Sequence, residues 1–297
     1  MIPTQPLLDA MIESRLPAAH ADWMRAAAAE IAAGAPAERL ASLLSLAGRH
    51  APRGALAPSA AEREEAGRRL AGWSPERWSM LETMRVRLFV GHPGVDGEDF
   101  VEVLEECFRY ADAGELTALY RSLAHLPRGE RFVWRAGEGC RTNMRTVFEA
   151  VACDTPYPVR HFGDRAWCQL VLKAVFIEAP LWRVYGLDQR LSPELARMAL
   201  DLADERRSAG RPVPAELWLC LGAHAGERGL AALEQEMSIP DARSRQAAAL
   251  ALARAGASAK LCELAASEPD PVVRGVAEGA LAGRCDQGAF AVLEGSN

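Results

Sequence analysis

The sequence predicts an all-α protein: an α-solenoid, or α-α superhelix, built from helical hairpins. Three observations carry that expectation. Helix-start signals follow one another along the 297 residues, stretches of alternating β-branched residues are missing, and a helix-pair pattern recurs near the C-terminus at an offset of 29 residues. The apolar spacing predicts about fifteen helices of roughly 10–18 residues.

Residues 1–70 read as three or four Ala-rich helices, with a loop at 51–58 where Pro52, Gly54 and Pro58 fall. At Trp73-Ser74-Pro75-Glu76 a helix start is expected. Ser caps, Pro suits the first turn, and Glu favours the positive end of the helix dipole. Gly91-His92-Pro93-Gly94 reads as a turn, followed by helices over 97–110 and 113–125. A helix is expected from Cys140 to Ala152, with Met144, Val147, Phe148 and Val151 on its core face. Thr155-Pro156-Tyr157-Pro158 must end it in an extended corner, because each Pro lacks a donor and pushes its predecessor out of the α region. Ser192-Pro193-Glu194 repeats the start device, with Leu195, Met198, Ala199 and Leu202 as the apolar face that follows, and Pro214-Ala215-Glu216 is a weaker version.

The C-terminal repeat pairs Pro240, Asp241, Arg245, Ala248 and Leu252 with Pro269, Asp270, Arg274, Ala277 and Leu281. The Asp caps the second helix of each copy, the Arg four residues on reaches a neighbouring Asp, and Ala lets helices stack closely. This pattern resembles short bacterial HEAT-like repeats. One such unit cannot bury its apolar face alone, so the earlier helix pairs are expected to continue the stack. The expected organisation is therefore 1–70 as N-terminal helices, 71–222 as a central helical region and 223–297 as HEAT-like repeats, together one solenoid.

Composition narrows the function. The apolar fraction of 49% suffices for a sizeable core, and the formal net charge is −6. Without a basic stripe there is no footprint for nucleic acid, and DNA-lesion binding, known for some HEAT-like proteins, would need a basic concave surface. Seven Cys with no CxxC pair fit reduced thiols in a cytoplasmic setting, and no close Cys/His pairs suggest zinc. The N-terminus lacks the pattern of a secretory signal, and no apolar run is long enough to span a membrane. No Gly-rich phosphate loop, HExxH or GxSxG occurs, and no cofactor is expected.

The stretch from Glu138 to Arg190 holds the candidate site. On the expected helix Arg141, Arg145 and Glu149 share a face, so the arginines either grip a phosphate or carboxylate, or simply pair with Glu138 or Asp154 and with Glu149. Tyr157 either places its hydroxyl in a pocket or packs as a lid on the core. Lys173 sits among Leu170, Val171, Leu172, Ala174, Val175, Phe176 and Ile177. In a helix so apolar it must snorkel, pair with Glu178, Asp188 or Asp201, or face a polar cavity, where burial would make it a nucleophile or base. Asp188 and Arg190 are expected to hold the Gly186-Leu187-Asp188 turn shut. His161 is a lone His, with Cys168 seven residues on as the only local partner for a nucleophilic pair.

Certain motifs carry a resemblance. They are Cys140-Arg141-Thr142-Asn143-Met144-Arg145, Pro156-Tyr157-Pro158, Ala166-Trp167 with Gln169, and Leu172-Lys173-Ala174. Gly186-Leu187-Asp188 with Arg190, Glu205-Arg206, Gly210-Arg211 and Pro214-Ala215-Glu216-Leu217-Trp218 complete the set. Together they resemble the EboA family, helical proteins of ebo gene clusters in bacteria and some algae, described as metabolite-traffic proteins. The likeness is sharp over 137–222, diffuse over 70–136 and weak at both ends. It departs from the family pattern at Thr155 and Cys168, where Asn is usual, and at Asp204, where His is frequent. The resemblance implies a setting in metabolite traffic, and the lack of any recognisable catalytic motif points to a non-enzymatic protein that binds a small metabolite, anionic or prenylated, or the enzymes and membrane partner that make and export it. Its implied partners are products of neighbouring ebo-type genes, among them a prenyltransferase-like membrane protein and enzyme-like proteins. The candidate ligand-binding residues are Arg141, Asn143, Arg145, Tyr157, His161, Trp167, Gln169, Lys173, Asp188 and Arg190. The alternative is an enzyme acting on such an intermediate through Lys173, Arg141, Arg145 and Tyr157.

Overall fold

A computed structural model describes residues 2–295. Among the described residues it holds sixteen α-helices, nine short 3-10 helices and no strand; one isolated β-bridge joins Ala55 to Ser79. The all-α class is as expected. The chain divides into two compact units, Met1–Gly163 and Asp164–Asn297.

The first unit holds α1 (Gln5–Glu13), α2 (Ala18–Ala32), α3 (Ala37–Leu46), α4 (Ala60–Arg69) and α5 (Met80–Val90). It continues with α6 (Phe100–Arg109), α7 (Ala113–Ser122), α8 (Val133–Arg141), α9 (Arg145–Ala152) and α10 (Tyr157–His161). Helix α5 is its axis: α1, α2, α3 and α7 all pack on it, and eight of its eleven residues are buried. Only Leu81, Glu82 and Arg87 keep partial access to solvent, so the helix has almost no solvent face. Arg85 is tolerated there because its Nε donates to the Leu44 carbonyl at 3.0 Å and its Nη2 lies 3.5 Å from Glu115. Capping boxes at Ser59/Glu62, Ser79/Glu82 and Asp112/Glu115 start α4, α5 and α7.

Three local expectations are corrected here. Ser74-Pro75-Glu76 forms a turn, with the Trp78 N–H on the Pro75 carbonyl, and the helix starts only after Ser79, whose reciprocal box with Glu82 is the stronger cap. The helix expected over 140–152 is two helices. Between them the Thr142 hydroxyl accepts from the Met144 N–H at 3.0 Å, a local bond that competes with the helical ladder, and Met144 is exposed rather than in the core. The Pro156–Pro158 corner does end α9, but the chain turns helical again at once: Pro158 occupies the second position of α10, where a missing N–H costs nothing. Tyr157 is consequently buried rather than displayed.

The second unit holds α11 (Asp164–Phe176), α12 (Pro193–Ser208), α13 (Gly226–Met237), α14 (Ala242–Arg254), α15 (Ser258–Ser267) and α16 (Pro271–Leu281). The Ser192 hydroxyl caps α12 as expected, while Ala215–Cys220 winds as a 3-10 helix. Helix α14 is the hub, packed on by α13, α15, α16 and the 3-10 segments at 215–220 and 287–295. Its Ala247–Leu252 run is fully buried, and the small side chains let these neighbours approach closely. Asp241 caps α14 and Asp270 caps α16. Arg245, however, forks onto Glu268 at 3.0 and 3.1 Å and only skirts Asp270 at 4.0 Å, because Glu268 is the buried carboxylate that needs a counter-charge.

Candidate functional site

In the first unit the candidate residues do separate structural jobs. Arg141 ends α8 and pairs with Glu138, while Arg145 opens α9 and pairs with Glu149 at 2.7 Å; Asn143 lies exposed in the break between them. These are the in-chain pairings that stood as the alternative to an anion grip, and exposed pairs of this kind contribute little. The Tyr157 hydroxyl donates to the Gly129 carbonyl at 2.7 Å, and its ring lies 4.7 Å from that of His161. Burial raises the Tyr157 phenol and lowers the His161 imidazole. Both side chains clamp the Arg128-Gly129 turn, where Arg128 is left-handed and a Cβ at 129 would meet His161 Nε2 at 2.6 Å. Tyr157→Phe should therefore lower stability by about 1 kcal/mol, the worth of one buried hydrogen bond, with urea unfolding as the check.

In the second unit Trp167 is buried under Arg190, whose guanidinium lies 4.8 Å from the indole centroid and also reaches Asp164 at 2.7 Å. Asp188 pairs with Arg254 and accepts the Gln287 N–H at 3.0 Å, partners far along the chain that only tertiary packing supplies. Burial, reinforced by Glu194 and Asp164, raises the Cys168 thiol, which keeps it a thiol at neutral pH rather than a nucleophilic thiolate.

Lys173 belongs to a different feature. The core face of α11 is Trp167, Leu170, Val171, Ala174 and Val175. That leaves Gln169 exposed, Lys173 half-buried and the Phe176 ring 65% exposed, so the helix is open on one flank rather than buried all round. Helix α12 buries Leu195, Ala196, Ala199, Leu200 and Ala203, leaving Met198 and Leu202 half-buried. The two open flanks border a groove of 500 Å³ lined by Leu172, Lys173, Phe176, Arg197, Met198, Asp201, Leu202 and Glu205. The Lys173 ammonium sits 5.4 Å from the Phe176 ring centroid. Arg197 is forked onto Glu194 at 2.8 and 3.0 Å and onto Asp201 at 2.6 Å. Arg228 joins Asp201 at 2.9 Å and Asp204 at 2.5 Å, so the Asp at 204 is an ion-pair partner here.

Chemically the groove is an apolar strip between charges of both signs, suited to an amphipathic occupant. Sequence reasoning assigned Met198 and Leu202 to the core and left Arg197 and Glu205 out of the candidate ligand-binding residues. The available signal was the row Arg197, Asp201, Glu205 at a spacing of four, next to the apolar pair Met198 and Leu202. Among the described residues no group of three or more His, Cys, Asp or Glu side chains is placed to hold a metal ion.

A family model described as "Metabolite traffic protein EboA" matches residues 4–222. The chain belongs to the EboA family. Membership implies a role in metabolite traffic. The match covers nearly all of the first unit and runs into the second through α11 and α12, so the Lys173 groove lies within the EboA region and α13–α16 lie beyond it. No curated protein and no solved structure matches the chain. No helix among the described residues is long and apolar enough to cross a membrane.

Proposed function

We propose that this EboA protein is a non-catalytic binding protein that holds a small anionic or prenylated metabolite along the α11/α12 groove. The observation that carries this reading is the exposed Phe176 ring beside Lys173 in a groove floored by Leu172, Met198 and Leu202. Solvent-facing aromatic and aliphatic side chains favour an apolar body, and the ammonium favours an anionic head. In this reading the protein works in the cytoplasm and hands its ligand to products of neighbouring ebo-type genes. In the same reading the helices α13–α16 stack as HEAT-like repeats. Support for the repeats comes from the matched Asp241 and Asp270 caps and from the buried Ala248 and Ala277 at equivalent positions.

The test is mass spectrometry of small molecules extracted from the protein after gentle purification from its own cells. Wild type is compared with Phe176→Ser/Lys173→Ala and with Arg141→Ala, each shown to be folded. A molecule depleted at least about tenfold in the first variant and retained in the second is the expected result. Equal retention in all three, or partner proteins with no small molecule, would sink the groove as a metabolite site.

A further inference from the structure

A second surface in the first unit is independent of that groove. Helices α3, α6 and α7 border a cleft of 350 Å³. Its floor is apolar: Leu44, Cys107 and Leu119 are buried, and Ala41 lies beside them. At its rim Tyr110 is 85% exposed, the most exposed large apolar side chain among the described residues.

The charge of the rim is one-sided. Glu38, Glu106 and Glu115 line the cleft, and no Lys or Arg does. Glu106 is shared with Arg109 at 2.9 Å and Glu115 with Arg85 at 3.5 Å, both from outside the cleft. Glu38 makes no ion pair among the described residues. The floor feels this charge: Cys107 is raised to about 12, by burial first and then by Glu106 and Glu38. An apolar strip walled by helices and edged by carboxylates complements the face of an amphipathic helix whose apolar residues alternate with Lys or Arg.

We propose that the α3/α6/α7 cleft docks a basic amphipathic helix of a partner protein. The apolar residues of that helix cover Leu44, Cys107 and Leu119, the Tyr110 ring closes over one end, and its cations meet Glu38 and Glu106. A membrane with anionic headgroups is repelled by the same carboxylates.

The experiment uses the full chain and a fluorescein-labelled amphipathic peptide of leucine and lysine, read by fluorescence anisotropy. The same peptide with glutamate in place of lysine is the first control. Glu38→Lys and Tyr110→Ser are the test variants; both side chains are exposed, so neither change touches the core. Glu263→Lys, an equal charge change at an exposed site on α15, controls for net-charge attraction. Binding of the lysine peptide should weaken at least about tenfold in each test variant, remain unchanged in Glu263→Lys, and weaken as salt is raised. No binding, equal weakening in Glu263→Lys, or equal binding of the glutamate peptide overturns the proposal. So does dimerisation through this face, seen as a sedimentation change abolished by Tyr110→Ser, because the occupant would then be a second copy of this chain.

Discussion

Replacing Arg245 by Ala should destabilise the second unit by about 3–5 kcal/mol. The Glu268 side chain is 3% exposed and receives both prongs of the Arg245 guanidinium, at 3.0 and 3.1 Å. The third nitrogen of that guanidinium donates to the carbonyls of Ile239 and Pro240, at 2.9 and 2.7 Å. One side chain thus ties the segment between α13 and α14 to the segment between α15 and α16. Without it Glu268 keeps only the Asp270 N–H at 3.0 Å and is left as a buried charge with no counter-ion. An apolar pair, Arg245→Met/Glu268→Leu, removes both charges and should recover most of the loss. Urea titrations of wild type, both single variants and the double variant form the cycle that checks this. A single-variant loss under about 1 kcal/mol would mean that Glu268 finds water or another donor.

The second large effect is acid lability centred on His125. Its ring is buried between the N-terminal segment and two tryptophans. Nδ1 lies 2.8 Å from the Thr4 hydroxyl, and the Trp73 and Trp78 rings stand edge-on at 4.7 and 5.8 Å. Burial alone pushes the imidazole down to about 3. In the unfolded chain it titrates near the ordinary value of about 6.5. Between those values the unfolded state carries a proton that the folded state does not, so stability falls as pH falls through that window. The limiting slope is about 1.4 kcal/mol per pH unit, or about 2 kcal/mol between pH 6.5 and pH 5. His50 and His161 are lowered as well and act with the same sign. The contribution of His125 is therefore the part of the slope lost in His125→Asn, measured by urea unfolding at a series of pH values. An unchanged slope in that variant would show that His125 is reached by water in the folded state.

The Arg245 and His125 cases show where sequence reasoning stops. The spacing of Asp241, Arg245, Asp270 and Arg274 was visible as a repeat, and it correctly marked two helix caps. Which carboxylate Arg245 would meet was not visible, because Glu268 lies 23 positions away and outside the repeat pattern. His125 sits in an ordinary Leu-Ala-His-Leu run, and nothing local marks it as fully buried. The candidate stretch divides in the same way. Its aromatic and polar composition pointed to Lys173, and α11 does carry Lys173 beside an open groove. The opposite wall is α12, whose Met198 and Leu202 looked like core because a helical spacing reports a face without saying how deeply it is covered.

By itself the sequence determined the all-α class, the caps at Ser192, Asp241 and Asp270, the break at Pro156, and membership of the EboA family through its central motifs. These are set by local chemistry: caps, prolines and apolar periodicity act within a turn or two of the chain. Tertiary structure alone decided the burial of Tyr157 on Gly129, the pairing of Asp188 with Arg254, the burial of His125, and the opening between α11 and α12. Each depends on which distant residue arrives at a given side chain, and on whether a neighbouring helix covers it or leaves it to water. That is a property of packing, and local propensity does not encode it.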